Sequence, residues 1–545
     1  MTTHNTFATV DQLDENYDVI VMGSGASGLT AAVRAAADGL RVLVVEKAAK
    51  LGGTSAAGGG VIWAPANHLG AQAGYADCAE AGIQYLTAAA GEIMSPDDIS
   101  WYVRTSRQAV EFLDHHTRVE LVPLSRPDYH MEWPGAAAGG RSLDNAAFRA
   151  DDYPEIAEVL RQPTYFPLLT MVERDDLNGR APDPQLLKER ANQGVRTMGG
   201  ALVAALAATA LDAGVHIALD ASVTNLRRGK TWQAVISDTT VVTTSAIVIA
   251  SGGFDYNKRL RETFLPMDIT PIGAPSNEGD GLELGMAVGA SLQDMNAIWG
   301  VPIINAAGQL YDGKPTGRMG NVEMTLPGSI TVNAAGRRFV NEALNYHDAA
   351  RVFVNIDPHT GKAQNNPAWL VYDHNYMNKY PVAGSTPGKA PDWMLQAETL
   401  EELAQLAGID GEQLARTVER FNADARRGVD TEFGRGSSEQ DRHLGDASVT
   451  PNPCLAPLET GPYYAVPLHA GALGTSGGLA TNHDGQVLDR NQQPIAGLYA
   501  AGNVSGGVFR NTYPGGGATL GSGVTRAYAA ASHIATVLAT TAMRR

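Results

Sequence analysis

Residues 17–28 read Tyr17-Asp18-Val19-Ile20-Val21-Met22-Gly23-Ser24-Gly25-Ala26-Ser27-Gly28 and set the architecture of the N-terminal part of the chain. The apolar run is typical of a buried strand, and the alanine-rich stretch after the glycine turn predicts a helix that reaches Gly39. A second apolar strand, residues 41–45, ends at Glu46. Such a unit sets a pyrophosphate at a helix N-terminus and a carboxylate on a ribose hydroxyl. It predicts a dinucleotide site, with an ordinary glycine-rich turn as the alternative.

The composition narrows the class of protein. A chain of 545 residues exceeds one hydrophobic core, so two or three structural units are expected. The net charge of −17 argues against nucleic acid or an anionic membrane as the main partner. Only two cysteines occur, Cys78 and Cys454, in no metal or dithiol pattern, which favours a cytoplasmic location and no metal site.

The sequence also bears on membrane association. No stretch reaches the roughly 20 apolar residues of a spanning helix. Residues 1–16 are polar and acidic and do not resemble a signal peptide. Membrane contact is therefore expected to be peripheral at most, at the inner face of the membrane.

A second glycine-rich strip follows the acidic residue, Gly52-Gly53-Thr54-Ser55-Ala56-Ala57-Gly58-Gly59-Gly60. It suits a long cofactor laid along the backbone, which favours FAD over NAD. With the first motif, it resembles the fumarate reductase and succinate dehydrogenase flavoprotein superfamily. Members with covalent flavin carry a histidine just before the Thr of this strip. Gly53 occupies that position, so the resemblance implies non-covalent FAD.

The two motifs, together with the resemblance, define the candidate cofactor-binding residues. Later contributions are expected from a strand end at 250–252, from the turn at 277–280 and from two C-terminal turns. The set is Gly23, Ser24, Gly25, Ala26, Ser27, Gly28, Glu46, Lys47, Gly53, Thr54, Ser55, Gly58, Gly59, Gly60, Val223, Ala250, Ser251, Gly252, Asn277, Asp280, Gly502, Asn503, Ala518, Thr519 and Leu520.

The resemblance implies an α/β fold with a discontinuous, Rossmann-like FAD-binding domain and an inserted α+β catalytic cap domain. The predicted boundaries are 1–285 and 448–545 for the FAD-binding domain and 286–447 for the cap. Local patterns predict an irregular region at 93–196, an amphipathic helix at 199–213, strands at 221–224 and 243–250, and a helical stretch at 399–428. The apolar run 165–169 has two open interpretations, a core or lid segment and a loop that touches a membrane.

The substrate follows from a comparison with the fumarate-type members, which hold a dicarboxylate with arginines and histidines because a buried carboxylate needs paired charge. Their proton-donating arginine lies four residues after the Glu of an Asn-Glu pair, and counting from Glu342 gives Tyr346 here. Another arginine position, before the C-terminal glycine motif, is Tyr513, and Leu473–Ser476 lacks the expected histidine. These exchanges of cations for neutral groups make a dicarboxylate substrate improbable.

The remaining motifs suit a neutral, apolar ketone. Tyr513-Pro514-Gly515-Gly516-Gly517, the Asn341-Glu342 pair followed by Tyr346, and Asp128-Tyr129 resemble the 3-ketosteroid Δ1-dehydrogenases, over nearly the whole chain. The resemblance implies that the Tyr513 hydroxyl and the Gly517 N–H bind the C3 carbonyl oxygen. It implies that Tyr346, as a tyrosinate, takes the C2 proton while flavin N5 accepts hydride from C1, and that Tyr129 hydrogen-bonds Tyr346. The implied partners are an apolar steroid and an external electron acceptor such as a quinone or dye.

Three other interpretations stay open. A 3-ketosteroid Δ4-(5α)-dehydrogenase is allowed by the doublet Tyr463-Tyr464, and a fumarate or 2-enoate reductase is opposed by the missing arginines. A flavoprotein that only carries electrons would not need phenols above its cofactor. His347 and His469 are interpreted as surface or packing residues.

Overall fold

The computed structural model describes residues 7–177 and 180–543. The sequence predictions for the N-terminal segment, for the first domain and for the C-terminal end include residues 1–6, 178–179 and 544–545. These residues lie outside the described part of the chain. The strands are β1 Asn16–Met22, β2 Val42–Val45, β3 Ile62–Trp63, β4 Leu121–Pro123, β5 Ser142–Asn145, β6 Phe148–Arg149, β7 Val195–Arg196, β8 His216–Ala218, β9 Val223–Arg228, β10 Trp232–Ile236, β11 Thr240–Ile249 and β12 Thr270–Pro271. They continue as β13 Leu292–Gln293, β14 Ile298–Ile304, β15 Leu310–Tyr311, β16 Lys314–Pro315, β17 Arg318–Met319, β18 Ser329–Val332, β19 Ala368–Tyr372, β20 Leu395–Ala397, β21 Tyr463–Thr475, β22 Gly478–Leu479, β23 Gln486–Leu488 and β24 Pro494–Ala500.

The α-helices follow the same chain order. They are α1 Ala26–Ala37, α2 Gly53–Ala57, α3 His68–Gln72, α4 Ala79–Ala90, α5 Pro96–His116, α6 Pro154–Val159, α7 Met171–Asp176, α8 Pro184–Asn192 and α9 Met198–Asp212. They continue as α10 Lys258–Phe264, α11 Asp280–Ala287, α12 Asn321–Thr325, α13 Tyr346–Arg351, α14 His374–Lys379, α15 Leu400–Ala407, α16 Gly411–Arg427, α17 Glu439–His443 and α18 Ala518–Met543.

The first sheet is the predicted Rossmann-like one. Its strands run in the order β23-β24-β11-β1-β2-β8, with β10 and β9 added antiparallel beyond β11. The neighbours of β1 are both parallel to it, and β24, from the C-terminal part of the chain, pairs parallel with β11. The sheet therefore joins two distant parts of the sequence, as expected for a discontinuous FAD-binding domain.

The turn between β1 and α1 needs glycine for close packing. A Cβ on Gly28 would lie 2.0 Å from the carbonyl oxygen of Gly23, so any side chain there would push the helix away from the strand. Helices α1, α9 and α18 bury one face of this sheet. The N-terminus of α1 is thereby fixed at the carboxyl ends of the parallel strands, which is where ligands bind in such sheets.

The second sheet covers the cavity described below. Its order is β17-β14-β21-β19-β18, with β12 and β20 also paired to β21. All of its pairings are antiparallel except that of β12 with β21. Helices α15 and α16 pack on this sheet, which agrees with the predicted α+β cap. The boundaries 286 and 447 stay a prediction, and the central strand β21 comes from residues 463–475.

Three local predictions differ from the structure. Residues 93–196 are not irregular throughout, because α5 is a 21-residue helix whose start is capped reciprocally by Ser95 and Asp98. Helix α9 is buried on nearly all sides and is not amphipathic, because it is enclosed between α1, α2 and neighbouring strands. The stretch 399–428 is two helices, since Gly408 ends α15 with φ of 68° and the Asp410 side chain caps α16.

Two smaller outcomes concern strands and membrane spans. The predicted strand at 221–224 begins two residues later, at Val223, and extends to Arg228. Across residues 7–177 and 180–543, no helix combines the length and apolar character needed to cross a membrane.

Candidate active site

A cavity of about 310 Å³ brings together both glycine strips, the second sheet and the C-terminal glycine loop. It begins at the β1–α1 turn, passes Glu46 and Thr54, and ends among Tyr129, Tyr346 and Tyr513. One continuous space therefore connects the predicted dinucleotide site with the predicted ketone site.

The structure brings nearly all the predicted cofactor residues to the wall of this cavity. Those that line it are Gly23, Ser24, Gly25, Ser27, Glu46, Lys47, Gly53, Thr54, Ser55, Gly58, Gly59, Gly60, Val223, Ala250, Ser251, Gly252, Asn277, Asp280, Gly502, Asn503, Thr519 and Leu520. Ala26, Gly28 and Ala518 lie behind the wall. These residues support the wall and do not face the cavity. Ala26 N–H donates to Ser55 Oγ at 3.0 Å, and Ala518 is fully buried at the start of α18.

The acidic end of this wall is ordered by short contacts. Glu46 Oε2 accepts from the N–H and the hydroxyl of Ser24, at 3.1 Å and 2.8 Å. Lys47 is held by Glu278 and Asp280, at 2.9 Å and 2.6 Å. The carboxylate therefore lies beside the helix N-terminus, where a ribose and a pyrophosphate are bound together.

The wall also fits a long polar cofactor on its own evidence. The Ser251 hydroxyl oxygen is buried with no hydrogen-bond partner in the described part of the chain. Next to the second strip, a Cβ on Gly53 would meet nothing within 4 Å. An unpaired buried hydroxyl and open space beside bare backbone are features that a bound ligand would satisfy.

The far end of the cavity is a cluster of three phenols. The hydroxyl of Tyr346 donates to that of Tyr513 at 2.9 Å, and Tyr513 Oη lies 3.0 Å from Thr519 Oγ1. The Tyr129 ring stacks on Tyr513 with centroids 5.7 Å apart and meets Tyr346 edge-on at 5.6 Å. The three phenols predicted to take part in the reaction thus share one site. The predicted hydrogen bond between Tyr129 and Tyr346 stays a prediction.

Burial dominates the electrostatics of this cluster. It raises the pKa of Tyr346 well above its usual value, and the neighbouring Tyr129 and Tyr513 hydroxyls add to the rise. Burial also raises the pKa of Tyr513. These phenols are therefore protonated at neutral pH, and a phenol that acts as a base there needs stabilisation of its anion by neighbouring groups.

His347 lies directly behind the cluster. Its ring is 5.4 Å from that of Tyr513, and its Nδ1 accepts from the Gly300 N–H at 3.3 Å. Burial lowers the pKa of His347 to about 4, so the ring is neutral at pH 7. It is buried and packs on the phenol, whereas His469 lies on β21 and does not line the cavity.

The glycine loop 514–517 is held by its carbonyl oxygens. Pro514 O accepts from the Tyr85 hydroxyl at 2.6 Å, and Gly516 O accepts from the Ser142 hydroxyl at 2.7 Å. Gly517 has φ of +99°, and a Cβ on it would lie 2.7 Å from Val61 O. Within the described residues its N–H has no acceptor, so it is free to donate to a ligand.

A buried ionic network supports this loop from behind. Asp128 accepts from the Trp63 indole at 2.9 Å and from Arg141 at 2.6 Å, and Arg141 also pairs with Asp77 at 2.6 Å. A Cβ on Gly515 would lie 2.5 Å from the same indole nitrogen. Asp128 and Arg141 thus form the support of the glycine loop.

Sequence reasoning missed the two arginines of this cavity. Arg126 and Arg174 line it, together with His443 and the apolar residues Phe166 and Met171. Arg126 lies two residues before the Asp128-Tyr129 motif, and this proximity was a usable signal. Arg174 lies in a poorly patterned region, and only the folded chain brings it to the phenols. Tyr165 and Phe166 line the cavity as well, which agrees with the lid or core interpretation of that run.

One group of titratable residues lies elsewhere. Ligand atoms of His68, Asp114 and His115 are all within 4.8 Å of one another, and His68 is hydrogen-bonded to Asp114 at 2.8 Å. They do not line the cavity and have no evident part in its chemistry. The two cysteines are free, with Cys78 exposed and Cys454 buried.

The fold and the site define a flavoprotein of the class that holds FAD on a Rossmann-like sheet beneath a second domain. The profile of the FAD binding domain family matches residues 18–520. The chain belongs to this FAD-binding family, of the fumarate reductase superfamily, together with 3-oxosteroid 1-dehydrogenases, and FAD is its cofactor. It is an FAD-dependent oxidoreductase acting on CH–CH groups.

The similarity to known proteins extends over nearly the whole chain. The 4-oxocyclohexanecarboxylate 2-dehydrogenase of Sinomonas cyclohexanicum is 39% identical over 95% of this chain and 93% of its own. The 3-oxosteroid 1-dehydrogenase of Mycobacterium tuberculosis is 36% identical over 96% of this chain and 98% of its own. The crystal structure of 3-ketosteroid delta1-dehydrogenase from Sterolibacterium denitrificans, in complex with 1,4-androstadiene-3,17-dione, matches with a TM-score of 0.88. It is 34% identical and covers 96% of this chain and 100% of the other.

Proposed function

We propose that this protein desaturates a ring ketone beside its carbonyl, as a 3-ketosteroid 1-dehydrogenase that converts a 4-ene-3-ketone to a 1,4-diene-3-ketone. The observation that carries the proposal is the phenol cluster, with Tyr346 and Tyr513 hydrogen-bonded at 2.9 Å at the end of the cofactor cavity. Full-length similarity to 3-oxosteroid 1-dehydrogenases supports it.

The ketone oxygen binds between the Tyr513 hydroxyl and the Gly517 N–H. Both donors are neutral, and Gly517 immediately precedes the 26-residue helix α18, whose N-terminus favours negative charge. As the C2 proton leaves, charge develops on this oxygen, and fixed donors stabilise it where it forms. The loop carbonyl contacts to Tyr85 and Ser142 keep the donors in place before substrate arrives.

Tyr346 takes the C2 proton. Its phenol must first lose its own proton to solvent, and Tyr129, whose ring packs against it, donates a hydrogen bond to the resulting anion. The C2–H electrons form the C1–C2 double bond as the C1 hydrogen leaves with its bonding pair. FAD, when bound, supplies the acceptor for that hydride. Tyr513 accepts from Tyr346 in the structure. Once Tyr346 is ionised this bond is lost, and the Tyr513 hydroxyl donates to the ketone.

The cofactor is held without a covalent bond, since Gly53 stands where covalent relatives have histidine. An external acceptor such as a quinone or a dye then reoxidises it. A cytoplasmic location, with peripheral contact to the inner face of a membrane, belongs to the same proposal.

A second candidate is desaturation of 4-oxocyclohexanecarboxylate, the substrate in the name of the 39% identical relative. The specific observation that favours it is a cation, Arg174, in the wall of the cavity. Both candidates share the ring ketone, the phenols and the loss of hydrogen beside the carbonyl.

The experiment is product analysis with androst-4-ene-3,17-dione and an artificial electron acceptor. Formation of the 1,4-diene supports the proposal and separates it from Δ4-(5α)-dehydrogenation, which does not use this substrate. No turnover, with either the steroid or 4-oxocyclohexanecarboxylate, would overturn it. Fumarate-dependent reoxidation of a reduced dye would instead favour the reductase interpretation.

A further inference from the structure

The cavity wall contains a cation whose charge is not neutralised by a bonded carboxylate. Arg174, in α7, places its guanidinium carbon 5.4 Å from the centre of the Phe166 ring, and its Nη1 lies 3.8 Å from Met171 Sδ. Within residues 7–177 and 180–543, no carboxylate oxygen lies within 4.0 Å of its guanidinium nitrogens.

The adjacent acids of the same helix are committed to other partners. Glu173 accepts from two nitrogens of Arg190, both at 2.6 Å. Asp175 accepts from two nitrogens of Arg126, at 2.6 Å and 2.5 Å, and lies 3.6 Å from His443. These pairings neutralise Arg126 and leave Arg174 as the unpaired cation of the pair.

The surroundings of Arg174 disfavour its charged form. Burial, followed by the nearby Arg126 guanidinium, lowers the pKa of Arg174. Arg174 is half-buried, and the carboxylates of Asp175 and Glu323 offset part of this effect from beyond bonding distance. A cation removed from water in this way is unfavourable unless an anion pairs with it directly. A carboxylate can do so with two parallel hydrogen bonds to the planar guanidinium.

Arg174 also shares a cavity with the phenols. Arg126 Nη1 lies 3.9 Å from the position of a Cβ on Gly516, and the Arg126 guanidinium is close enough to Arg174 to influence its charge. Both arginines line the same cavity as Tyr346 and Tyr513. A ligand whose carbonyl lies at Tyr513 therefore has Arg174 available to a distant substituent.

We propose that Arg174 binds a carboxylate on the substrate, remote from the reacting carbonyl, so that ring keto acids are preferred over neutral ring ketones. The inference rests on the proposed desaturation of a ring ketone and names its substrate class. The carboxylate could belong to a monocyclic keto acid or to the side chain of a 3-ketosteroid. Each presents the same anion to the guanidinium.

The test compares acids with their neutral methyl esters. The substrates are 4-oxocyclohexanecarboxylate and a 3-ketosteroid whose side chain ends in a carboxylate, each beside its ester. The proteins are the FAD-loaded wild type, Arg174→Gln, Arg174→Lys and the control Arg180→Gln, which removes an exposed arginine of the neighbouring segment. The acid that the wild type prefers over its ester identifies the source of the carboxylate.

The expected result is that Arg174→Gln loses activity toward the acid but not toward the ester. Removing one partner of a buried charge pair predicts a fall in kcat/KM of about 30- to 1,000-fold for the preferred acid, mainly through KM. The ester should change by less than about threefold, Arg174→Lys should recover part of the loss, and Arg180→Gln should resemble the wild type. Equal losses for acid and ester, or no loss for the acid, would overturn the inference.

A binding measurement separates this inference from the proposed function. The probe is 4-hydroxybenzoate, whose phenol oxygen imitates the enolate and whose carboxylate lies opposite, and the reference is its methyl ester. Calorimetric titration of the wild-type holoenzyme should show tighter binding of the acid, and Arg174→Gln should abolish the difference. Equal affinities in the wild type would overturn the carboxylate site. A preference for the acid without turnover of any ketone would support the site and refute the desaturation.

Discussion

The hydroxyl oxygens of Tyr346 and Tyr513 lie 2.9 Å apart, with Tyr346 as the donor. The proposed base and the proposed oxyanion donor are therefore hydrogen-bonded to each other. The contact fixes both phenols in the positions that a ketone would need, and it keeps Tyr346 protonated until the ketone takes its place. This pair is the centre of the proposed mechanism.

Replacing Tyr346 with Phe should remove the base and leave the cavity intact. Loss of a general base typically costs 100- to 10,000-fold in rate, so kcat should fall by about that factor while ligand binding is retained. Steady-state kinetics and ligand titration measure the two effects. The matched control is Tyr464→Phe, because that buried phenol stacks on Tyr372 and does not line the cavity. Wild-type turnover in Tyr346→Phe would refute the assignment.

Replacing Tyr513 with Phe should remove one donor to the ketone oxygen. Loss of one such donor costs roughly 100- to 1,000-fold in kcat. The stacked ring of Tyr129 and the packing on Trp299 should preserve the fold, which a melting curve checks. A change in kcat of less than about threefold would exclude Tyr513 from the reaction.

The pH profile should rise on the alkaline side. The pKa of Tyr346 is raised well above its usual value of 10.0 by burial, so the fraction of tyrosinate grows about tenfold per pH unit below that pKa. We expect log kcat/KM for the wild type to increase by about one for each unit between pH 7 and pH 9. A flat or falling profile over this range would contradict a tyrosinate base.

The support of the glycine loop should be visible in stability. Arg141 is buried, and its replacement by Met leaves Asp77 and Asp128 without their cation. Breaking a buried pair of this kind costs about 3–5 kcal/mol, which denaturant unfolding measures. The control Arg227→Met removes an exposed arginine from β9 and should have an effect within about 0.5 kcal/mol. Equal stability of the two variants would contradict the supporting role.

The attachment of the flavin has a simple test. Because Gly53 occupies the position of the modified histidine, acid precipitation of the holoenzyme should release all the yellow colour to the supernatant. Yellow colour that stays in the precipitate would show a covalent bond.

The parts of the fold that were read correctly from sequence depend on local signals. The unit from Tyr17 to Glu46 is recognisable because strand, glycine turn and helix follow one another, and Gly28 must pack on Gly23. The helix α5 has an equally local start signal at Ser95 and Asp98 that the sequence interpretation overlooked. The burial of α9 depends on elements far away in sequence, so its pattern alone could not show it.

The same distinction explains the candidate site. Tyr346 and Tyr513 were found because they occupy positions where relatives carry cations. Arg174 carries no motif, and its importance arises from distant pairings, such as that of Arg126 with Asp175, which only the folded chain reveals. The sequence indicated a neutral site for the ketone, and the structure shows that two arginines, Arg126 and Arg174, also line the cavity.

The most direct test of the central claim is an anaerobic titration of the wild-type holoenzyme with androst-4-ene-3,17-dione, followed by flavin absorbance. Without an electron acceptor, the account predicts loss of the oxidised flavin band on addition of the steroid, with the 1,4-diene as product, and no loss in Tyr346→Phe. An unchanged flavin spectrum in the wild type at saturating steroid would contradict the account.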